Sequence, residues 1–386
     1  MISYVNNIRK MQERLVDSEA YRKRGLSYTD ETNNSVKFRV KNNSFNTDNR
    51  YFLRGGIFIP TKNPHSMDNK IQKDISNLFN QFDKDFQDRF KTAREVKYRL
   101  LVTGKRNDLI KILLNENIQK IIHWMYVNNY LIHYGIVDNI YYSIADMLEP
   151  LIKTSSDENY PIKEAWLFKS AVTEIVYKNK TEFISLIQKY NLPNLQPISI
   201  EPFYNDLKRF INNHIEELTD ESLIQDTLIF LKKEFDFDTA ETLLSGNKEN
   251  VLIDKYIETY TVWVSSFPRS YYVIDKQKVV EDEFKELHIP KRLAIFRDSQ
   301  SRNKGKGLQL ADCIVNILKV YIDYINSLTP EKILTINKER KNNSAMVELA
   351  MILRRSREYS PMLTMLDGTQ HLYRAMNWFE EIMINK

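Results

Sequence analysis

The chain has 386 residues, of which 42% are hydrophobic and 12% aromatic. That is ample for a large core and excludes a disordered polypeptide. With 56 basic against 51 acidic side chains, the formal charge of +5 is compatible with nucleic acid without requiring it. The single Cys313 excludes an internal disulfide framework or multi-cysteine zinc site, and suits a reducing cytoplasm.

Nine glycines and 11 prolines favour a helix-rich protein with few tight turns. Arg9, Lys10, Glu13 and Arg14 break any apolar signal-peptide run. No stretch approaches the ~18 apolar residues of a membrane span. The expectation is a cytoplasmic protein with no membrane association.

In chain order, residues 2–23 carry Val5, Ile8, Met11 and Leu15 at helical spacing, and Gly25 ends the helix. Leu26 to Thr29 and Ser35 to Lys41 read as a strand pair around a turn at Asp30 to Asn34. Tyr51 to Pro60 is a third strand, in which Gly55-Gly56 permits a bulge or a close backbone approach. A helix follows from Met67 to Phe90, then a charged, extended piece from Glu95 to Leu101. Further helices precede a strand at Tyr130 to Tyr134.

Helical periodicity dominates residues 137–258, broken by loops at Thr154 to Asn159 and Pro193 to Pro202. Strands return at Ser270 to Ile274 and Leu293 to Phe296, and Leu308 to Ser327 is a strongly apolar helix. Residues 330–386 read as two or three helices. The expected fold is α/β: a mixed-sheet core in 1–136 and 261–328, interrupted by an all-helical insertion at 137–260 and followed by C-terminal helices at 329–386.

Acids sit at the ends of these strands: Asp30 with Glu31, Asp275, and Asp298. Asp312 opens the apolar helix in Gly307-Leu308-Gln309-Leu310-Ala311-Asp312-Cys313. Sites in open α/β sheets gather at the carboxyl ends of strands, so these acids could converge. Converged carboxylates repel one another unless divalent cations, Mg2+ or Mn2+, offset the charge. Two such ions ~4 Å apart activate water and stabilise a leaving oxygen in phosphodiester hydrolysis. The bland alternative is that strand-end aspartates form turns or cap helices.

These segments resemble the domain of unknown function 3800 family, which carries a ribonuclease-H-like fold. The resemblance rests on Tyr28-Thr29-Asp30-Glu31, Tyr51-Phe52-Leu53-Arg54-Gly55-Gly56-Ile57, Asp298-Ser299 and Gly307 to Asp312. Glu95-Val96-Lys97, Ile132-His133-Tyr134, Ile144-Ala145-Asp146 and Tyr272 to Asp275 add to it. The chain departs at Thr32 and Asn33, where the family has Ser and Gly, which leaves the role of Glu31 open. The resemblance covers residues 25–150 and 268–325.

It implies a metal-dependent nuclease acting on DNA or RNA, with a defence-system protein as a further partner. Asp30, Glu95, Asp275 and Asp312 would be catalytic and would bind metal with Glu31, Asp298 serving if the late strands are shifted. Lys97, Arg297, Arg302, Lys304 and Lys306 would contact nucleic acid. The competing class is an inactive nucleic-acid-binding or scaffold subunit of the same fold.

Other candidates read more plainly. Arg209 and His214 match the spacing of a metal-independent helical endoribonuclease. His123 and His133 read as packed histidines and Cys313 as a core thiol. Arg354, Arg355 and Arg357 read as a solvated helix face. Oligomeric state is not legible.

Overall fold

In the computed structural model, residues 22–32, 37–93, 95–104, 106–153, 162–289, 293–301, 304–329, 336, 340 and 343–384 are described. The expected first helix, the loop at Thr154 to Asn159 and Arg302 lie outside them.

The described elements begin with β1 (Gly25–Thr32), β2 (Phe38–Lys41), β3 (Ser44–Phe45) and β4 (Tyr51–Pro60). Helices α1 (Pro64–Phe79), α2 (Lys84–Ala93), α3 (Tyr98–Leu101), α4 (Leu109–Leu113) and α5 (Glu116–Val127) lead to β5 (Leu131–Asp138). Next come α6 (Asn139–Ile152), α7 (Ile162–Lys178), α8 (Lys180–Tyr190), α9 (Pro197–His214), α10 (Glu221–Lys232), α11 (Phe237–Leu244) and the short β6 (Val251–Ile253). The chain continues through α12 (Ile257–Ser266), β7 (Tyr271–Asp275), α13 (Lys278–Glu286), β8 (Ala294–Arg297) and α14 (Lys306–Asn326). It closes with α15 (Ser344–Tyr359), β9 (Thr364–Asp367) and α16 (Gln370–Ile384).

A mixed six-stranded sheet runs in the order β8-β7-β1-β4-β5-β9. β4 is antiparallel to β1 and β5, whereas the β1–β7, β7–β8 and β5–β9 pairs are parallel. β1 therefore pairs with β4. The expected strand at 35–41 instead supplies β2, which joins β3 and β6 in a separate three-stranded sheet. Its alternating buried and exposed residues suit that marginal position, whereas β1 and β4 are buried on both faces.

Side-chain alternation divides the core in two. Tyr28, Leu53 and Ile57 face one layer, which contains α1, α5, α14, α15 and α16. Phe52, Phe58, Tyr272 and Ile274 face the other, built from α6 to α12. The helical segment expected as an insertion thus shares a continuous core with the second face of the sheet. Two strands, β6 and β9, fall where only helices are expected; each has four residues or fewer, too short for periodicity to register.

Gly55-Gly56 makes the close approach and not the bulge, since β1 and β4 pair without a register break. A Cβ on Gly56 would lie 2.0 Å from the Tyr28 carbonyl oxygen and 3.0 Å from Ala311 Cβ. A Cβ on Gly307 would strike the Tyr28 ring at 2.4 Å. These two glycines let α14 lie directly against the middle of the sheet. Among the described residues no helix is long and apolar enough to cross a membrane.

Candidate functional site

The site lies at the carboxyl ends of two parallel neighbours, β1 and β7. Thr29 pairs with Ile274, so Asp30 and Asp275 are the next residues of each strand. Asp30 shares the parity of Tyr28, and Asp275 that of Val273, so both side chains point toward the layer containing α14. That helix brings Asp312 over them.

The fourth acid, Glu95, comes from the loop before α3. The Val96 N–H donates to Gln309 Oε1 at 3.1 Å, and the Tyr98 N–H donates to Asp312 Oδ2 at 2.7 Å. Gln309 Nε2 in turn donates to the Ser299 carbonyl at 2.7 Å. The Ser299 N–H donates to Asp275 Oδ1 at 3.2 Å and its hydroxyl to Glu95 Oε2 at 3.3 Å. Gln309 and Ser299 therefore staple two loops to α14 around the acids. The spacing of Gln309 and Asp312, three residues apart on one helix, was the available sign of a shared face.

Lys97 lies among these acids. Its Nζ is 3.8 Å from Asp312 Oδ1 and 3.9 Å from Glu95 Oε1. Burial alone would lower Lys97, but Asp312, Asp30, Glu95 and Asp275 outweigh it and raise the ammonium above its usual range. Burial, then the charges of Glu31, Asp312 and Asp275, hold Asp30 well above the ordinary carboxylate range, against the pull of Lys97. Asp312 is raised by burial, with the Tyr98 N–H and Lys97 opposing. Asp275 is raised by burial, with backbone donors and Lys97 opposing. Four carboxyl groups thus face one ammonium. Such a cluster favours taking up either protons or cations.

The donor set is all carboxylate oxygen, the chemistry suited to Mg2+ or Mn2+. Among the described residues, however, no three acid, histidine or cysteine side chains stand grouped as a ready coordination set. The acids are instead held by Lys97 and backbone N–H groups.

The structure separates other candidates from this cluster. Glu31, one residue beyond Asp30, projects to the opposite face, where Oε2 accepts a hydrogen bond from Tyr260 at 3.0 Å. Consecutive strand residues point to opposite faces, so the Asp30 and Glu31 side chains leave β1 in opposite directions. Burial pushes Glu31 up to about 7, against the Tyr260 hydrogen bond. Asp298 is exposed and accepts from the Gln300 N–H at 2.8 Å, the turn-forming role.

The expected basic loop is largely committed elsewhere. Arg297 Nη1 and Nη2 donate to Asp68 at 3.2 and 2.7 Å. Asp68 also accepts from Tyr28 and Gln72, which ties β8 to α1 beneath the site. Arg297 is therefore a structural ion pair, and nothing in the sequence marked Asp68 as its partner. Lys306 is partly buried, 3.3 Å from Gln309 Oε1 and over the Phe90 ring at 5.4 Å. Lys304 stands exposed.

Arg209 and His214 lie on the second-face layer, engaged in ion pairs. Arg209 pairs with Asp206, while the His214 ring nitrogens meet Glu217 at 2.7 Å and Glu182 at 2.9 Å. Neither nitrogen is free to serve as a base without breaking one of these pairs. His123 is exposed rather than packed and pairs with Glu348 at 2.9 Å. His133 is fully buried against Trp263 and Phe58, where burial and then Arg54 hold it neutral. Cys313 is buried in the core. The arginines of α15 are tied down: Arg354 and Arg357 pair with Glu381 and Glu380, and Arg355 donates to main-chain carbonyls.

Compared with known proteins, the chain matches no protein-family model, no curated protein and no solved structure.

Proposed function

We propose that this protein is a metal-dependent phosphodiesterase acting on DNA or RNA. The observation that carries the reading is the convergence of Asp30, Glu95, Asp275 and Asp312, from four separate segments, around Lys97. The strand order β5-β4-β1-β7-β8, antiparallel on one side of β1 and parallel on the other, supports the ribonuclease-H-like reading of the core.

Asp30, Asp275 and Asp312, with Glu95, would hold Mg2+ or Mn2+. The ion would supply charge neutralisation at the phosphoryl group and a lowered pKa for attacking water. The protein's own contribution is positional. Gln309 and Ser299 fix the loops that carry Glu95, Lys97 and Asp275, and the Tyr98 N–H orients Asp312. Lys97, the ammonium among these acids, would supply positive charge to a phosphate oxygen. Exposed Lys304, in the loop before α14, would offer a non-specific backbone contact. A role in bacterial antiviral defence, with a protein partner, follows from the family resemblance and belongs to the same proposal.

A second reading has its own observation. Lys97 and backbone donors already compensate the acids, and no ready coordination set stands among the described residues. This favours an inactive nucleic-acid-binding or scaffold subunit. The test compares wild type with the Asp30→Asn, Asp312→Asn double variant on labelled DNA and RNA, in Mg2+, Mn2+ or EDTA. Cleavage by wild type alone, abolished by EDTA, supports the nuclease. Equal cleavage by both proteins sinks it, and nucleic-acid binding without cleavage selects the second reading.

A further inference from the structure

The side of the sheet that receives Glu31 carries a second polar feature, on the face opposite the Asp30 side chain. Glu31 lines a cavity between β1, β4, α12 and α13, walled by Phe52, Tyr256 and Tyr260, with buried Glu283 and half-exposed Lys255 also in its lining. Strand alternation forces Glu31 into it, because Asp30 takes the opposite face. The residue is 8% exposed. Its Oε2 is oriented by the Tyr260 hydroxyl, while Oε1 is buried with no hydrogen-bond partner.

A buried carboxylate oxygen left without a donor is costly, so the site favours any group bringing N–H. Arg54, the cross-strand neighbour of Glu31, does not serve. Its guanidinium lies over the Trp263 ring at 4.8 Å and the Tyr260 ring at 5.6 Å, and its own Nε and Nη1 are unpartnered. The aromatic walls add to the attraction for positive charge: Phe52 stacks on Tyr256 at 4.3 Å and is tilted to Tyr260 at 6.4 Å. That tight stacking leaves no slot between the rings for a planar base.

Charge decides the sign of the occupant. The lining holds two carboxylates, Glu31 and Glu283, against one ammonium, Lys255. Lys255 is itself held by Glu283 at 3.4 Å and Glu286 at 3.9 Å. Anions are disfavoured there.

We propose that this cavity binds a protonated amino or guanidino group, its N–H donors capping Glu31 Oε1 and its charge resting on the aromatic wall. The site is independent of the nuclease reading, since its occupancy is read without cleavage.

The experiment titrates the full chain with n-butylammonium and n-butylguanidinium chloride at constant ionic strength, using saturation-transfer NMR, with n-butanol as the neutral control. Saturable binding of the cations, weakened at least about ten-fold in Glu31→Gln, is the expected result. Lys255→Ala, at a half-exposed rim position, tests the charge argument without touching the buried wall and is expected to tighten binding. Equal affinity for n-butanol, a cation affinity unchanged in Glu31→Gln, or weaker binding in Lys255→Ala would each overturn the proposal. Spermidine and an N-acetyl-arginine amide, run alongside, rank a free polyamine against an arginine side chain as the source. Tighter binding of either than of n-butylammonium supports the site.

Discussion

Replacing Glu31 with Gln offers a test of the electrostatics that can be worked through quantitatively. The carboxyl titrates near 4.5 in an ordinary setting and at about 7 in the fold, chiefly because burial disfavours its charge. At about 1.4 kcal/mol per pH unit, that difference sets roughly 3 kcal/mol against the ionised form. The sign follows from proton uptake: the folded chain binds the proton more tightly, so wild-type stability falls as pH rises from 4.5 through 7. Above 7 the full penalty applies, and below 4.5 it is absent.

Glutamine keeps the shape and can accept the Tyr260 hydrogen bond, yet carries no charge. Glu31→Gln should therefore exceed wild type by less than ~1 kcal/mol at pH 5 and by up to ~3 kcal/mol at pH 8, on the order of 5 °C in melting temperature. Thermal melts by circular dichroism in EDTA, at both pH values, measure the difference. A variant no more stable at pH 8 than at pH 5, relative to wild type, would refute the assignment of Glu31 as a buried and poorly compensated acid.

Other perturbations probe the scaffold and the acid cluster. Asp30→Asn should reduce Mg2+-dependent cleavage by at least ~100-fold while leaving the EDTA-treated protein no less stable, because it removes repulsion; cleavage assays and melts run in parallel decide it. Arg297→Ala should cost about 2–4 kcal/mol in urea denaturation by stranding the largely buried Asp68. Lys304→Ala should change stability by less than ~0.5 kcal/mol and lower the salt dependence of nucleic-acid binding by about one counterion. Gly56→Ala should destabilise by roughly 2 kcal/mol or more and impair the site, since its methyl meets the Tyr28 carbonyl and Ala311. His214→Ala should leave any cleavage unchanged, as both its nitrogens serve ion pairs.

Much of this site was legible in the chain. Period-two and helical patterns mark β1, β4, β7, β8 and α14; Asp30 and Asp275 stand at strand ends and Asp312 in the second turn of α14, so all three could be nominated from local pattern alone. Local pattern also dictates the consequence of placing Asp30 and Glu31 on consecutive strand residues: whichever face takes one, the other takes the opposite. What remained undetermined was which strand pairs with which. β2 read as the partner of β1 and β4 only as a third strand, and the choice depends on whether each strand has one buried face or two.

Long-range partners were equally invisible, because an ion pair or hydrogen bond across hundreds of residues leaves no spacing in the sequence. Asp68 claims Arg297 from 229 positions away, and Tyr260 orients Glu31 across the same separation. Residue types and their periodicity thus fixed which side chains carry chemistry. Tertiary packing alone decided which of them face Lys97, which are consumed in structural pairs, and which open onto a second cavity.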